Sequence, residues 1–276
     1  METFQEVDIL SRLTLTFFFQ LVRYVLVAGG AYWLFYYLKR HDWFYFKIQQ
    51  KFPKSKDVRR EIGYSLLTMV IFSAEGLGIY FLRKRGLTQI YTDIEDFGWL
   101  YFGVSVVLAI FWHDTYFYWT HRMMHHPKLF PFFHKVHHLS HNPTPWAAFA
   151  FHPLEAVVEA GVLIFMVILI PMHPLAIFIF LIFMVVMNVL GHTGYEVFSL
   201  NFINTWFGSW QNTPTHHNMH HQLGKGNYGL YFNLWDKWMG TNFKQYKKTF
   251  ELNASRTKPV EAKPLSPSAK LLPHEQ

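Results

Sequence analysis

Five apolar runs set the first limit on what this chain can become. Residues 13–38, 62–82 and 99–119 read as three membrane spans, and residues 147–170 and 174–190 as an apolar hairpin turning at Pro171-Met172-His173-Pro174. At about 1.5 Å of rise per residue, about 20 residues of helix cover a hydrocarbon core of about 30 Å. Charged residues make up 16% of the chain, against about 25% in ordinary soluble domains. The expected fold is an all-α integral membrane protein with about four to five transmembrane helices.

Charge orients those helices. Residues 39–60 carry eight Lys or Arg against Asp42 and Asp57, the strongest positive loop in the sequence, whereas residues 83–98 balance three basic residues with three acidic ones. The positive-inside rule puts the first loop in the cytosol and the second outside. Counting spans from there brings residues 121–146 and the stretch after Gly191 to the cytosolic side, the expected place of a histidine-rich helical cap. The net charge of +7 sits beside apolar segments, so it reports topology, and nucleic acid is not expected as a partner. The start, METFQEVDIL, lacks a basic n-region and a small-residue cleavage site, so it is expected to be retained. The division that follows is an N-terminal transmembrane region over 1–98, a catalytic region over 99–249, and a disordered tail over 250–276, where Lys, Pro and Ser replace the aromatics.

Histidine supplies the chemistry. Of the 17 histidines, all but His41 and His274 lie between His113 and His221. They form three clusters: His121-x3-His125-His126, His134-x2-His137-His138, and His216-His217-x2-His220-His221. On a helix, positions i, i+3 and i+4 share a face, so each cluster can turn two or three imidazoles to a common point. With no cysteine, disulfides and thiolate-bound iron-sulfur clusters are excluded, and imidazole and carboxylate remain as strong ligands. A mononuclear zinc site needs three or four histidines. Eight or more imply two metals, and redox chemistry at a membrane favours iron.

The segments HDTYFYWTHRMMHH, HKVHH, HNPTPWAAFAFHPLE, GHTGYE, TPTHHNMHH and NYGLYFNLWDKWMGT occur in that order between His113 and Thr241. Together they resemble the fatty acid hydroxylase superfamily, membrane di-iron oxygenases that include the sterol desaturases. The resemblance implies His121, His125, His134, His137, His138, His192, His217, His220 and His221 as ligands of two iron ions. It implies supporting roles around them for His113, Asp114, His141, His152 and Glu155. Asn188, one helical turn before His192, could complete the ligand set directly or through water. His126 and His216 are expected to point away, because neighbours on a helix diverge by about 100°. His173, His41 and His274 are expected to bind no metal.

The resemblance further implies an O2-dependent oxidoreductase that hydroxylates or desaturates a lipid, in a bacterial inner membrane or the endoplasmic reticulum. The run Pro143-Thr144-Pro145 with Phe151-His152-Pro153 looks most like the sterol C5-desaturase branch. No His-Pro-Gly-Gly heme motif and no dinucleotide fingerprint occur in the sequence, so electrons are expected from a separate donor, a cytochrome b5-like protein or a ferredoxin with its reductase. Two alternatives are a histidine-rich metal transporter, which would need ligands along the spans, and a membrane heme protein, which would need facing histidines on separate spans. Glu75 stands deep in an apolar span, with Arg23 expected either to snorkel or to pair with it, and such residues mark either a buried hydrogen bond or a functional cavity. The Gly224 to Gly229 stretch lacks the context of a phosphate loop and reads as a turn that positions the last cluster.

Overall fold

The computed structural model describes residues 8–257. Helix α1, Ile9–Leu38, includes π-helical turns at Val25–Gly29 and Trp33–Leu38. The others are α2, Ser55–Lys84, and α3, Gly98–Met124; the short α4, Phe130–Phe133, and α5, Lys135–His138; α6, Pro153–Leu169, and α7, Pro174–Gly191; and α8, Pro214–Leu223, α9, Leu234–Trp238, and α10, Tyr246–Ala254. No strand occurs among the described residues, only isolated bridges such as Lys47 with Tyr195.

Helices α1, α2, α3 and α7 are long and apolar enough to cross a membrane, and at most 33% of the most apolar window of any of them is buried. Apolar side chains such as Leu26 and Leu100 therefore face outward. Exposed apolar surface on this scale has lipid as its solvent. Helix α1 packs along α2, α2 against α6, and α3 against α6 and α7. Gly76 lets the first two approach closely, since a Cβ there would lie 2.9 Å from Thr16 Cγ2.

The expected span over 147–170 starts late. Residues Pro145–Phe149 form a 3-10 turn, and α6 begins only at Pro153. Proline disfavours the helical region for the residue before it, so His152 stays extended and its Nδ1 caps the helix by accepting from Leu154 N at 3.3 Å. The freed segment is buried instead: Phe149 and Phe151 join Tyr24, Met69, Phe72, Val185 and Val189 in a core beneath the histidines. Nor is His121 part of a separate surface layer, since α3 carries it in its last turn.

Both ends of the helical body are defined by contacts between loops. At one end Gln89 N donates to Val167 O, and His173 Nε2 lies 3.2 Å from Thr92 O. At the other the basic loop meets the histidine cap: Ile48 N donates to Gly194 O at 3.0 Å, Gln49 Nε2 to His141 O at 2.6 Å, and Arg60 Nη2 to Leu139 O at 2.9 Å. Lys47 is fully buried there, its Nζ 5.0 Å from the ring centroids of Tyr36 and Tyr195, and burial pushes its ammonium down to about 7. The disordered tail expected over 250–276 does not start at residue 250. Helix α10 continues to Ala254, with Phe250 buried and Asn253 Nδ2 donating to Thr215 Oγ1 at 3.1 Å. Residues 258–276 and His274 lie outside the described residues.

Candidate metal centre

The three clusters converge at the capped end. Five ring nitrogens, from His121, His125, His134, His138 and His220, lie within 4.8 Å of one another, and four more, from His137, His192, His217 and His221, do the same. The two groups adjoin, with 5.1 Å between the ring centroids of His138 and His221.

Helical phase explains the division. The second and third clusters share the pattern His-x-x-His-His, in which positions i and i+4 differ by about 40° around a helix while i+3 and i+4 differ by about 100°. His134 and His138 accordingly go to the group of five and His137 to the group of four, whereas His217 and His221 go to the group of four and His220 to the group of five. One motif, used in opposite senses by two helical segments, ties the groups together. Pro214 opens α8 after Thr213, whose Oγ1 accepts from His216 N, and Gly224 ends it at φ +67°.

The Nδ1 atoms fix the tautomers. His121 Nδ1 lies 2.8 Å from Tyr228 O, His220 Nδ1 2.8 Å from Gly226 O, and His192 Nδ1 2.7 Å from Asn188 O. A carbonyl oxygen can only accept, so these Nδ1 atoms carry the hydrogen and Nε2 turns a bare lone pair inward. His134 Nδ1 does the same toward Glu155 Oε1 at 2.5 Å. Facing Nε2 pairs are then 2.9 Å apart in His121 with His134, 3.0 Å in His138 with His220, and 3.0 to 3.3 Å in the group of four. In His121 with His134 both Nδ1 atoms are committed, so two lone pairs face each other there and repel unless a cation lies between them. Nitrogens bound about 2.1 Å from one ion at roughly right angles are about 3 Å apart, so the donor set fits a metal ion in each group. Burial holds the rings neutral, bringing His192 and His220 down to about 4 and His125 to about 2, and keeping His137, His138, His217 and His221 well below the ordinary value.

The expected supporting residues behave differently from one another. Glu155 bonds His134 through its side chain. Asn188 reaches His192 through its backbone carbonyl, while its side chain donates to Ala148 O at 2.7 Å instead of turning to the site. His141 Nδ1 lies 3.4 Å from His221 O, a contact with backbone only. Asp114 touches none of the nine imidazoles; its Oδ1 accepts from Tyr231 N and Phe232 N at 2.8 and 3.2 Å and so orders the chain after the last cluster. His113 stacks on Tyr231, 5.4 Å between centroids, and His152 is spent on its helix cap. His126 is exposed, and buried His216 turns its Nε2 to Asn242 Oδ1 at 3.0 Å.

Sequence reasoning missed the acceptors and what holds them. Buried Asp236 accepts from Tyr228 N, Gly229 N and Thr241 Oγ1 at 2.9, 2.7 and 2.6 Å, fixing the turn whose carbonyls meet His121 and His220. Asn227 adopts φ 54°, and Gly226, at φ +84°, leaves no room for a Cβ, which would lie 2.6 Å from Thr241 O. Glu196 accepts from Thr215 N at 3.1 Å at the start of α8, and burial pushes its carboxyl up to about 7. Both acids lie in the quoted motifs, and their want of an apolar reason to be buried was the available signal.

Below the histidines is a narrow cavity between α1, α2, α3, α6 and α7. Phe117, 4.8 Å from the His121 ring, and Phe151, 5.3 Å from the His137 ring, form its roof with Asn188.

A family model described as fatty acid hydroxylase matches residues 106–241, which include all nine converging imidazoles. Lathosterol oxidase of Rattus norvegicus is 31% identical over 80% of this chain and 74% of that protein, and the Mus musculus protein of the same name is 32% identical with the same coverage. A Delta(7)-sterol 5(6)-desaturase of Gibberella zeae is 31% identical over 67% of this chain, and the match spans 56% of its length. No solved structure matches. With its histidine clusters, its membrane helices and relatives of this similarity, the chain belongs to the superfamily of fatty acid hydroxylases and sterol desaturases.

Proposed function

We propose that this chain is a di-iron oxidoreductase that desaturates or hydroxylates a C–H position of a lipid, with a sterol as the favoured substrate class, at the cytosolic face of its membrane. The observation that carries this reading is the placement of two groups of inward-facing Nε2 atoms directly above a cavity roofed by Phe117 and Phe151. Iron bound there would supply the reduction of dioxygen and the oxidising power to take hydrogen from an unactivated C–H bond.

The protein does the rest. The nine imidazoles would hold the metals, with the Nδ1–H groups of His121, His134, His192 and His220 locked on fixed acceptors so that ring orientation survives turnover. Phe117 and Phe151 separate the histidines from the cavity and exclude water from the reacting C–H bond. The apolar helices admit a lipid from the bilayer. In desaturation, dioxygen takes two electrons and two protons from adjacent substrate carbons, and two more of each from donor and solvent, and leaves as two waters. Hydroxylation places one oxygen in the new C–OH bond and releases one water for the same donor input. The basic end formed by residues 39–60 would receive an acidic electron carrier, such as a cytochrome b5-like protein or a ferredoxin.

The test is metal analysis of detergent-purified chain together with a single turnover of reduced protein on a Δ7-sterol. Two irons per chain and an oxygen-dependent unsaturated or hydroxylated product are expected. One zinc per chain with no oxygen uptake would overturn the reading. A metal transporter predicts ligands strung along the spans, whereas the convergent imidazoles lie together at one end of the helical body.

A further inference from the structure

The cavity has a second, polar end set within the span region. Arg23 is 4% exposed; its Nη1 donates to Leu181 O at 3.1 Å and its Nη2 to Gln20 Oε1. Its Nε has no partner, and neither do Glu75 Oε1, Glu159 Oε1 and His113 Nδ1, all of them buried atoms of residues lining this one cavity. Arg23 is buried and so does not snorkel, and although its charge and that of Glu75 lie close enough to interact, the two form no ion pair within 4.0 Å among the described residues. The π-helical turn starting at Val25 begins two residues after Arg23. With Val22 and Leu26 turned outward, the Arg23 head points in, and irregular turns of this kind recur at binding sites.

Unmade hydrogen bonds in a buried site are costly, and four around one space specify an occupant. Arg23 Nε offers a donor, Glu75 and Glu159 offer acceptors, and His113 Nδ1 can serve as either. A hydroxyl group both accepts and donates, and so satisfies Arg23 and a carboxyl at once. A fatty acid or phosphate end would set its negative charge against two carboxyl side chains, and a bare hydrocarbon end would leave every group unpaired. The two ends are separated along α7 by the seven residues from Leu181 to Asn188, about 10 Å of helix.

We propose that Arg23, Glu75 and Glu159, with His113 beside them, form a terminal subsite for the hydroxyl of an otherwise apolar, uncharged lipid. It anchors that end while the carbon skeleton extends to the roof under the imidazoles. This rests on reading the chain as a lipid oxidase and specifies which end of the lipid goes in first. The three residues select and position; they do not touch the reacting bond.

Equilibrium binding to the full-length chain in detergent tests it, with a radiolabelled Δ7-sterol, the same skeleton with its hydroxyl replaced by hydrogen, and a long-chain fatty acid as probes. Wild type is expected to hold the alcohol at least about 100-fold more tightly than the deoxy skeleton, with the fatty acid no better than the latter. Glu75→Gln and Glu159→Gln are expected to cut that ratio about tenfold or more while deoxy binding, which reports an intact cavity, stays unchanged. Equal affinity for the two skeletons in wild type, or a ratio unmoved in both variants, overturns the subsite. Selective binding of the alcohol with no oxygen-dependent product sinks the oxidase reading and leaves the subsite standing. Turnover of both skeletons with equal KM does the reverse.

Discussion

The two imidazole groups are close to mirror uses of the same sequence pattern, yet the polypeptide supports them unequally. In the group of five, His121, His134 and His220 each present Nδ1 to a fixed oxygen on Tyr228, Glu155 and Gly226. In the group of four, His192 has such an acceptor in Asn188 O, while the Nδ1 atoms of His217 and His221 have none. The first group is organised by the chain before any ion arrives. In the second, His217 and His221 lie one turn apart with Nε2 to Nε2 at 3.1 Å, and a bound ion would supply the ring orientation that no Nδ1 acceptor fixes.

The largest expected effect separates the groups by ligand count. His221→Ala leaves three imidazoles in its group and should lose about one iron per chain, with metal affinity there falling by roughly 1000-fold, beyond what loss of an outer partner costs. His138→Ala leaves four and should retain most of its iron. Iron content by mass spectrometry on both variants decides, and equal losses would break the comparison. Next comes Glu155→Gln, which weakens the acceptor of His134 only. Affinity should drop about 10- to 100-fold in one of the two sites, visible as a biphasic chelator titration where wild type shows closer phases.

A smaller effect comes from acid. His192 and His220 sit at about 4 in the fold against about 6.5 in the unfolded chain. The unfolded chain therefore binds more protons between those values, and metal-free protein loses stability as pH falls from about 6.5 to about 4. The slope is about 1.4 kcal/mol per pH unit for each histidine, about tenfold in the folding equilibrium, measurable by thermal unfolding from pH 7 to 5. Because one residue belongs to each group, acid should weaken both alike. The smallest effect is the control: His173→Ala, at the opposite end of the helical body, should leave iron content unchanged.

What could be read from sequence was whatever a side chain states by its type and spacing. The nine imidazoles that the family resemblance implied are the nine that converge, and for the six in the two His-x-x-His-His segments the spacing also constrains direction once the segment is helical. Backbone acceptors carry no such mark. Nothing about Tyr228 or Gly226 as residue types announces that their carbonyls meet His121 and His220, and Asn188 acts through its peptide oxygen while its amide holds Ala148. Asp114 and His113 share a motif with His121 yet lie two helical turns away, too far along α3 to touch the ring. The late start of helix in the fourth apolar run escaped a hydropathy reading because Pro153, not polarity, keeps the residues before it out of the helix. Arg23 and Glu75 stood out as charges in lipid, but only the fold shows that both border one cavity.

Arg256 donates from Nη1 to Lys47 O at 2.7 Å and to Ile48 O, while the bridge between Lys47 and Tyr195 lies beside His192. The polypeptide thus fastens a late residue over an early loop, with every ligand emerging from the ribosome between the two. A metal held by these imidazoles would therefore gain its closed surroundings only once residue 256 is in place, and a chain halted before it would present its imidazoles without that clasp.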